Sequence, residues 1–230
     1  APERSMTSTF RRRALAAAAA VAFVPAVASA QNVVVHTTLA SWLAAVSNPA
    51  VDTYNDLQPQ LTPSPLNRTV GGYSYRATAA NGFFPAGPNN DRWLSHNTAS
   101  DPMVLDQFSA NVRGVAGNFF LSDILGNFAP TGQLTVTAVS GGVTRSVTFT
   151  NPTLNTFWGI TSDAAITSLR VEANQQPVAI WGTINDLRLG AAPTQPPPPN
   201  IVPEPSTYAM LGAGLAAVAG IARRRRRASA

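Results

Sequence analysis

At 230 residues the chain has room for one domain of ordinary size with appendages; 45% of it is hydrophobic and only 12% charged. It contains no cysteine, which excludes disulfides, thiolate nucleophiles and cysteine metal sites together. The pI near 10.7 suggests a nucleic-acid partner, but nine of the sixteen arginines stand at the two ends. Between Gln31 and Gly190, seven arginines face eight aspartates and one glutamate, a formal charge of −2, so nucleic-acid binding is excluded for want of cations to concentrate on phosphate.

The first thirty residues carry the parts of a secretory signal. Arg11, Arg12 and Arg13 form a positive start, Ala14 to Val24 an apolar stretch, and Pro25 breaks it. Ala28-Ser29-Ala30 then offers the small-x-small pattern cut by signal peptidase, which predicts a mature start at Gln31. Met6 is the expected initiator, with residues 1–5 an upstream extension. The paired arginines raise the twin-arginine route, but the residues after them fit general secretion better. Secretion machinery and signal peptidase are the implied partners.

From Gln31 to Gly190 the pattern is mostly period two. Thr38 is positioned to cap a short helix from Leu39 to Val46, with Leu39, Trp42, Leu43 and Val46 on one face, and Pro49 closes it. Strand signals follow over Val70 to Ala77, Val104 to Phe108, Val112 to Leu121, Thr156 to Thr161, Ile166 to Ala173 and Ala179 to Leu189. Leu134, Val136 and Ala138 alternate with polar neighbours, Ser140-Gly141-Gly142 turns the chain, and Val143, Arg145, Val147 and Phe149 alternate on the return. About eight or nine short strands with one helix predict an all-β domain over residues 31–190, an antiparallel β-sandwich of jelly-roll type. No repeat of 20 to 50 residues points to a solenoid or propeller.

The C-terminal part changes character. Residues 191–202 form a proline-rich linker, and Ala191 to Pro205 holds seven prolines, a polyproline II spacer of roughly 45 Å. Val202, Pro203, Glu204 and Pro205 follow, then an uncharged run from Tyr208 to Ala222, then Arg223, Arg224, Arg225, Arg226 and Arg227. As a helix the run reaches roughly 22 Å, short of the roughly 30 Å hydrocarbon core. Cations directly after an apolar helix stay on the cytoplasmic side, so the segment reads as a marginal stop-transfer element holding the domain outside the inner membrane.

These three features in this order resemble the PEP-CTERM sorting signal; the resemblance covers about residues 201–227, with the signal itself set at residues 203–227. Segments of this kind are also called ice-binding protein C-terminal domains, a label that carries no ice-binding activity. The resemblance implies processing by an exosortase-type membrane enzyme, a transient inner-membrane stage, and delivery to the cell surface or an exopolysaccharide matrix. The order of Val115 to Phe120, Phe157 to Ser162, Ile166 to Val171 and Ile184 to Gly190 is similar to the β-sandwich domains that commonly precede this tail. That likeness implies a fold and brings no catalytic residue.

Catalytic chemistry finds little support. Nucleophilic hydrolysis needs a hydroxyl or thiol beside an oriented base, yet the chain has no Gly-x-Ser-x-Gly elbow, and His36 and His96 are its only histidines. No spacing among the domain's carboxylates selects a glycosidase pair, and no enzyme is expected. No cofactor is expected beyond a structural calcium ion. Asn90 and Asp91, with Asp101 in the next polar loop, are its candidate ligands, although such residues equally make ordinary Asx turns. Trp42, Trp158 and Trp181 fall in apolar patterns and read as core; Trp93, Tyr73 and Tyr75 are the candidate carbohydrate-contacting aromatics. The expected role is structural or adhesive in the envelope or exopolysaccharide. A carbohydrate-binding module is the alternative, and an extracellular hydrolase is third.

Overall fold

The structure, a computed structural model, describes residues 31–175, 179–193, 213–215 and 223–224. The predicted signal peptide and most of the tail lie outside the described residues.

Twelve strands and one short helix make up the domain. They run β1 (Val33–His36), α1 (Leu39–Leu43), β2 (Ser47–Asp52), β3 (Leu66–Val70), β4 (Tyr73–Thr78), β5 (Leu94–Ser95), β6 (Met103–Asp106), β7 (Gly114–Ser122), β8 (Gln133–Ser140), β9 (Val143–Thr150), β10 (Phe157–Ser162), β11 (Ile166–Asn174) and β12 (Trp181–Ala191). One sheet has the order β1-β10-β7-β12-β2, with β5 also along β12; the other has the order β3-β4-β6-β11-β8-β9. Every pairing is antiparallel. The two sheets bury one shared core, to which Phe119, Ile184 and Leu187 come from the first and Leu105, Val136 and Leu169 from the second. The expected all-β, two-sheet architecture is present.

The strand count exceeds the expectation for identifiable reasons. The run read as one strand from Val70 is split by Gly71 and Gly72, both at positive φ (54° and 86°). Val70 pairs with Tyr73 across them, so they make a two-residue hairpin turn of the primed type, whose twist matches that of the strands. Gly141 and Gly142 repeat this device between β8 and β9, as predicted. Pro49 does not merely close a helix: it lies in β2, at the margin of its sheet, where a missing N–H is tolerated.

The helix is shorter than its apolar spacing suggests. Thr38 does cap it, its Oγ1 accepting from the Ser41 N–H at 3.2 Å, but the helix ends at Leu43. Only Trp42 of its apolar residues is buried, and its indole N–H donates to the Ile160 carbonyl at 3.3 Å. Only three residues separate Leu43 from the start of β2 at Ser47, which leaves no room for another helical turn.

β7 is covered on both faces. Eight of its nine residues are buried, Phe119 and Phe120 both completely. Phe119 points to the shared core, while Phe120 joins Ala86, Trp93 and Phe128 in a small second cluster outside the sandwich. That cluster fixes the long segment between β4 and β5 onto the sheet and so shapes the site described next.

Candidate functional site

The segment from Phe83 to His96 folds as an irregular hairpin across the outer face of the first sheet, with bridges Phe83–His96 and Ala86–Trp93. Trp93 meets Phe120 edge to face at 5.1 Å, the favoured geometry for two aromatic quadrupoles. Gly87 lies so close beneath the indole that a Cβ there would reach within 2.6 Å of the ring. On the other side, Asp123 organises a tight turn: its Oδ1 accepts from the backbone N–H groups of Leu125 and Asn127, both at 2.9 Å. The turn thereby presents Ile124 and Leu125 to solvent, at 80% and 81% exposure.

Between hairpin and turn lies a cleft of about 300 Å³ whose lining includes Phe84, Ser95, His96, Asp123, Ile124 and Trp181. Phe84 is exposed and Trp181 half-buried, whereas Ser95 and His96 are buried. The His96 ring is spent at both nitrogens, with Nδ1 2.7 Å from the Thr98 carbonyl and Nε2 accepting from the Gly182 N–H at 3.2 Å. That pairing fixes the neutral tautomer with its proton on Nδ1. Burial lowers the pKa of His96, with Thr98 and Asp101 opposing the shift in part. A ring so occupied orients backbone and has no nitrogen left to act as a general base.

The sequence-predicted aromatics are elsewhere. Trp93, Tyr73 and Tyr75 are all buried, at 5%, 3% and 2% exposure, so none presents a ring face to a sugar. Arg92 and the polar residues around Trp93 suggest exposure, but the second cluster pulls the indole inward. Among the described residues its N–H has no hydrogen-bond partner. Tyr73 donates to the Asn48 carbonyl at 2.9 Å and Tyr75 to Asp52 at 2.8 Å. Trp181, expected in the core, is instead the tryptophan that lines the cleft.

Two of the candidate calcium ligands already hold a side-chain amide partner. Asp91 accepts from the Asn185 amide at 2.8 Å and Asp101 from the Asn81 amide at 2.9 Å, while Asn90 is exposed. Among the described residues no three acidic or histidine side chains converge. His36 lies in β1 and bonds Thr161 at 2.8 Å, far in sequence from His96, which follows β5. Burial lowers its pKa as well.

One polar constellation has no forerunner in the sequence reading. Asp52, 4% exposed, accepts from Arg68 Nε (2.9 Å), Arg68 Nη2 (2.6 Å), the Tyr75 hydroxyl (2.8 Å) and the Tyr54 N–H (3.2 Å). Arg68 also bonds the exposed Asp56 and lies 5.7 Å from the centre of the Tyr54 ring. Hydrogen bonding to Asp56, with Asp52 adding to it, raises the pKa of Arg68; the same bond lowers that of Asp56. Burial raises both Tyr54 and Tyr75, with Asp52 nearby adding to it, so both phenols stay neutral. Every acceptor direction of Asp52 is used, and the arrangement ties β2, β3 and β4 together.

The fold and its surface thus define a β-rich domain followed by a C-terminal address. Residues 202–227 match the PEP-CTERM protein-sorting motif. That motif implies an exported surface protein processed by an exosortase-type enzyme, with a transient membrane stage. The match is to the sorting motif and lends nothing to the ice-binding label. A comparison with curated proteins found no match. Of the motif, residues 213–215 and 223–224 are described, and they are helical. Among the described residues no helix is long and apolar enough to cross a membrane.

Proposed function

We propose that the chain is a structural or adhesive component of the cell surface or exopolysaccharide matrix, presented on a proline-rich spacer and released from the inner membrane by exosortase-type cleavage. The sorting motif at residues 202–227 carries this reading. The order Val-Pro-Glu-Pro, apolar run and five arginines supports a temporary hold followed by cleavage, because the run is too short for a comfortable permanent span. The domain is read as a jelly roll. From β5 to β12 the strands give the orders β5-β12-β7-β10 and β6-β11-β8-β9, the interleaving expected of two Greek keys. It is also read as non-catalytic, supported by the spent His96 ring and by Asp123 being the single carboxylate in the cleft lining.

Mass spectrometry of the native protein from membrane, surface and medium fractions tests the delivery reading. The expected result is a surface or medium form that lacks the peptide after Pro205. An intact, membrane-held Pro205 to Arg227 peptide in every fraction would make the tail an ordinary anchor.

A second reading, a carbohydrate-binding module, is favoured by one observation: the cleft combines exposed aromatic surface with hydroxyl and carboxylate groups.

A further inference from the structure

The cleft between the Phe84 hairpin and the Asp123 turn contains polar capacity that the protein does not use itself. Ser95 is 4% exposed, yet among the described residues the hydrogen-bond partners of its Oγ are only Ser122 Oγ at 3.4 Å and Thr183 Oγ1 at 3.5 Å. Good O–H···O bonds lie near 2.7–2.8 Å, so this buried hydroxyl has both its proton and its lone pairs to offer. Its neighbours are better supplied: Ser122 and Thr183 are 2.9 Å apart, and Thr183 also donates to the Trp181 carbonyl at 3.3 Å. Asp123 spends Oδ1 on two backbone N–H groups, while Oδ2 meets only the Asn127 amide at 3.4 Å. An open carboxylate oxygen therefore stands at the same cleft.

The remaining lining defines what could use these groups. Phe84 is 44% exposed and Ile124 80%. Trp181 is half-buried, its indole N–H turned to the Asn97 carbonyl at 3.4 Å. No arginine lines the cleft and Asp123 is its one charged residue, so an anionic ligand would meet repulsion and no counter-charge. A purely apolar ligand would leave Ser95 and Asp123 unpaired against it, at a cost. The fitting ligand is uncharged, has apolar C–H faces for the aromatic surfaces, and carries hydroxyls to donate to Asp123 Oδ2 and to exchange hydrogen bonds with Ser95. A volume of about 300 Å³ is at the small end of ligand sites and suits one ring rather than several.

We infer that this cleft binds a single neutral pyranose unit of a polysaccharide, held by Phe84 and Trp181 and oriented by Ser95 and Asp123. The inference rests on the carbohydrate-binding reading and supplies its site and ligand class.

The test is saturation-transfer difference NMR on the full chain, in a nonionic detergent without a sugar headgroup. The probes are the methyl α-pyranosides of glucose, galactose and mannose, with sodium glucuronate as the charged counterpart. At least one neutral pyranoside should show transfer to its ring C–H protons and bind at least about tenfold more tightly than glucuronate. Trp181→Ala should weaken that binding by at least about tenfold. Ser95→Ala, which removes one oxygen with little change of shape, should weaken it by about two- to tenfold. Thr137→Ala, on the opposite sheet, should leave it unchanged. Near-UV circular dichroism identifies any variant that has lost its packing, and Phe84→Ala then replaces it. Binding that survives both the aromatic and the Ser95 substitutions would overturn the site while leaving a carbohydrate-binding module standing. No binding by any neutral pyranoside, or tighter binding of glucuronate, would overturn both. Neither result touches delivery by the sorting motif, which the fractionation experiment tests on its own.

Discussion

Asp52 and Asp56 hold the same guanidinium, and the structure assigns them very different weights. Asp52 is 4% exposed and Asp56 64%, while the Arg68 side chain between them is 13% exposed. Replacing Asp52 by alanine removes four acceptor contacts, leaving the Arg68 Nε–H facing a buried gap and the Tyr75 hydroxyl with only that of Tyr54. Breaking a buried pair from one side costs about 3–5 kcal/mol, mainly through the charge left behind. Here Asp56 still holds Arg68 Nη1 and Nη2, which places the loss near the lower end, about 3 kcal/mol. Asp56→Ala leaves Arg68 bound to Asp52 through Nε and Nη2, and a pair with an exposed carboxylate contributes only about 0–1 kcal/mol. Urea unfolding followed by tryptophan fluorescence separates the two. With a slope of about 2 kcal/mol per molar urea, Asp52→Ala lowers the midpoint by about 1.5 M and Asp56→Ala by less than about 0.5 M. Equal losses from the two variants, or a shift below about 0.5 M for Asp52→Ala, would refute the assignment of the buried carboxylate as the anchor of the network.

Three further outcomes are expected. Burial lowers the folded-state pKa of His96 below its ordinary 6.5, so the unfolded chain takes up a proton that the folded chain refuses. Its contribution is complete above about pH 6.5 and declines as the pH falls below that, so midpoints measured from about pH 7.5 to about pH 5 should drop, and drop less in His96→Gln. Trp93→Phe deletes an indole N–H without a partner, whereas Trp42→Phe deletes one bonded to the Ile160 carbonyl; the first should cost about 1 kcal/mol less than the second in the same urea assay. Arg145 lies on β9, the last strand of its sheet, opposite the buried Ala138 and in line with Val143, Val147 and Phe149, which pack on the core. An inward charge at a sheet edge opposes pairing with a second chain, so Arg145→Val should give concentration-dependent self-association in sedimentation velocity while Arg145→Lys stays at the wild-type mass.

The sequence makes the sandwich legible wherever one face of a strand is wet. β8 shows this most clearly: Leu134, Val136, Ala138 and Ser140 are buried and the residues between them are not. β7 breaks the alternation because it is covered on both faces, and its near-continuous apolar run from Val112 is the visible trace of that. What covers the outer face cannot be read from the run itself. It is the Ala86–Trp93 hairpin, brought there by Phe120 and Phe128 from distant parts of the chain. For the same reason Trp93 is misplaced and Trp181 overlooked: local polarity around Trp93 and local apolarity around Trp181 both give way to long-range packing. The Gly71-Gly72 turn was available from the same dipeptide rule that identified Gly141-Gly142. The Asp52–Arg68 pair, sixteen residues apart on two strands, leaves no local signal at all.

The separation of address from domain has a physical counterpart in how the arginines are used. Within the sandwich, Arg68, Arg76, Arg170 and Arg188 pair with carboxylates. Arg92, Arg113 and Arg145 donate to backbone carbonyls. All seven are thus engaged within the domain itself, three of the five ion pairs closing between neighbouring strands or residues two apart. The five C-terminal arginines follow an uncharged run, with no carboxylate between Tyr208 and Ala230, and cations so placed would set orientation at a membrane. Cleavage near Pro205 would therefore remove the chain's surplus of positive charge together with its hold on the membrane. The released part would carry the slightly acidic balance of the sandwich, the state in which the cleft between Phe84 and Trp181 would meet its ligand.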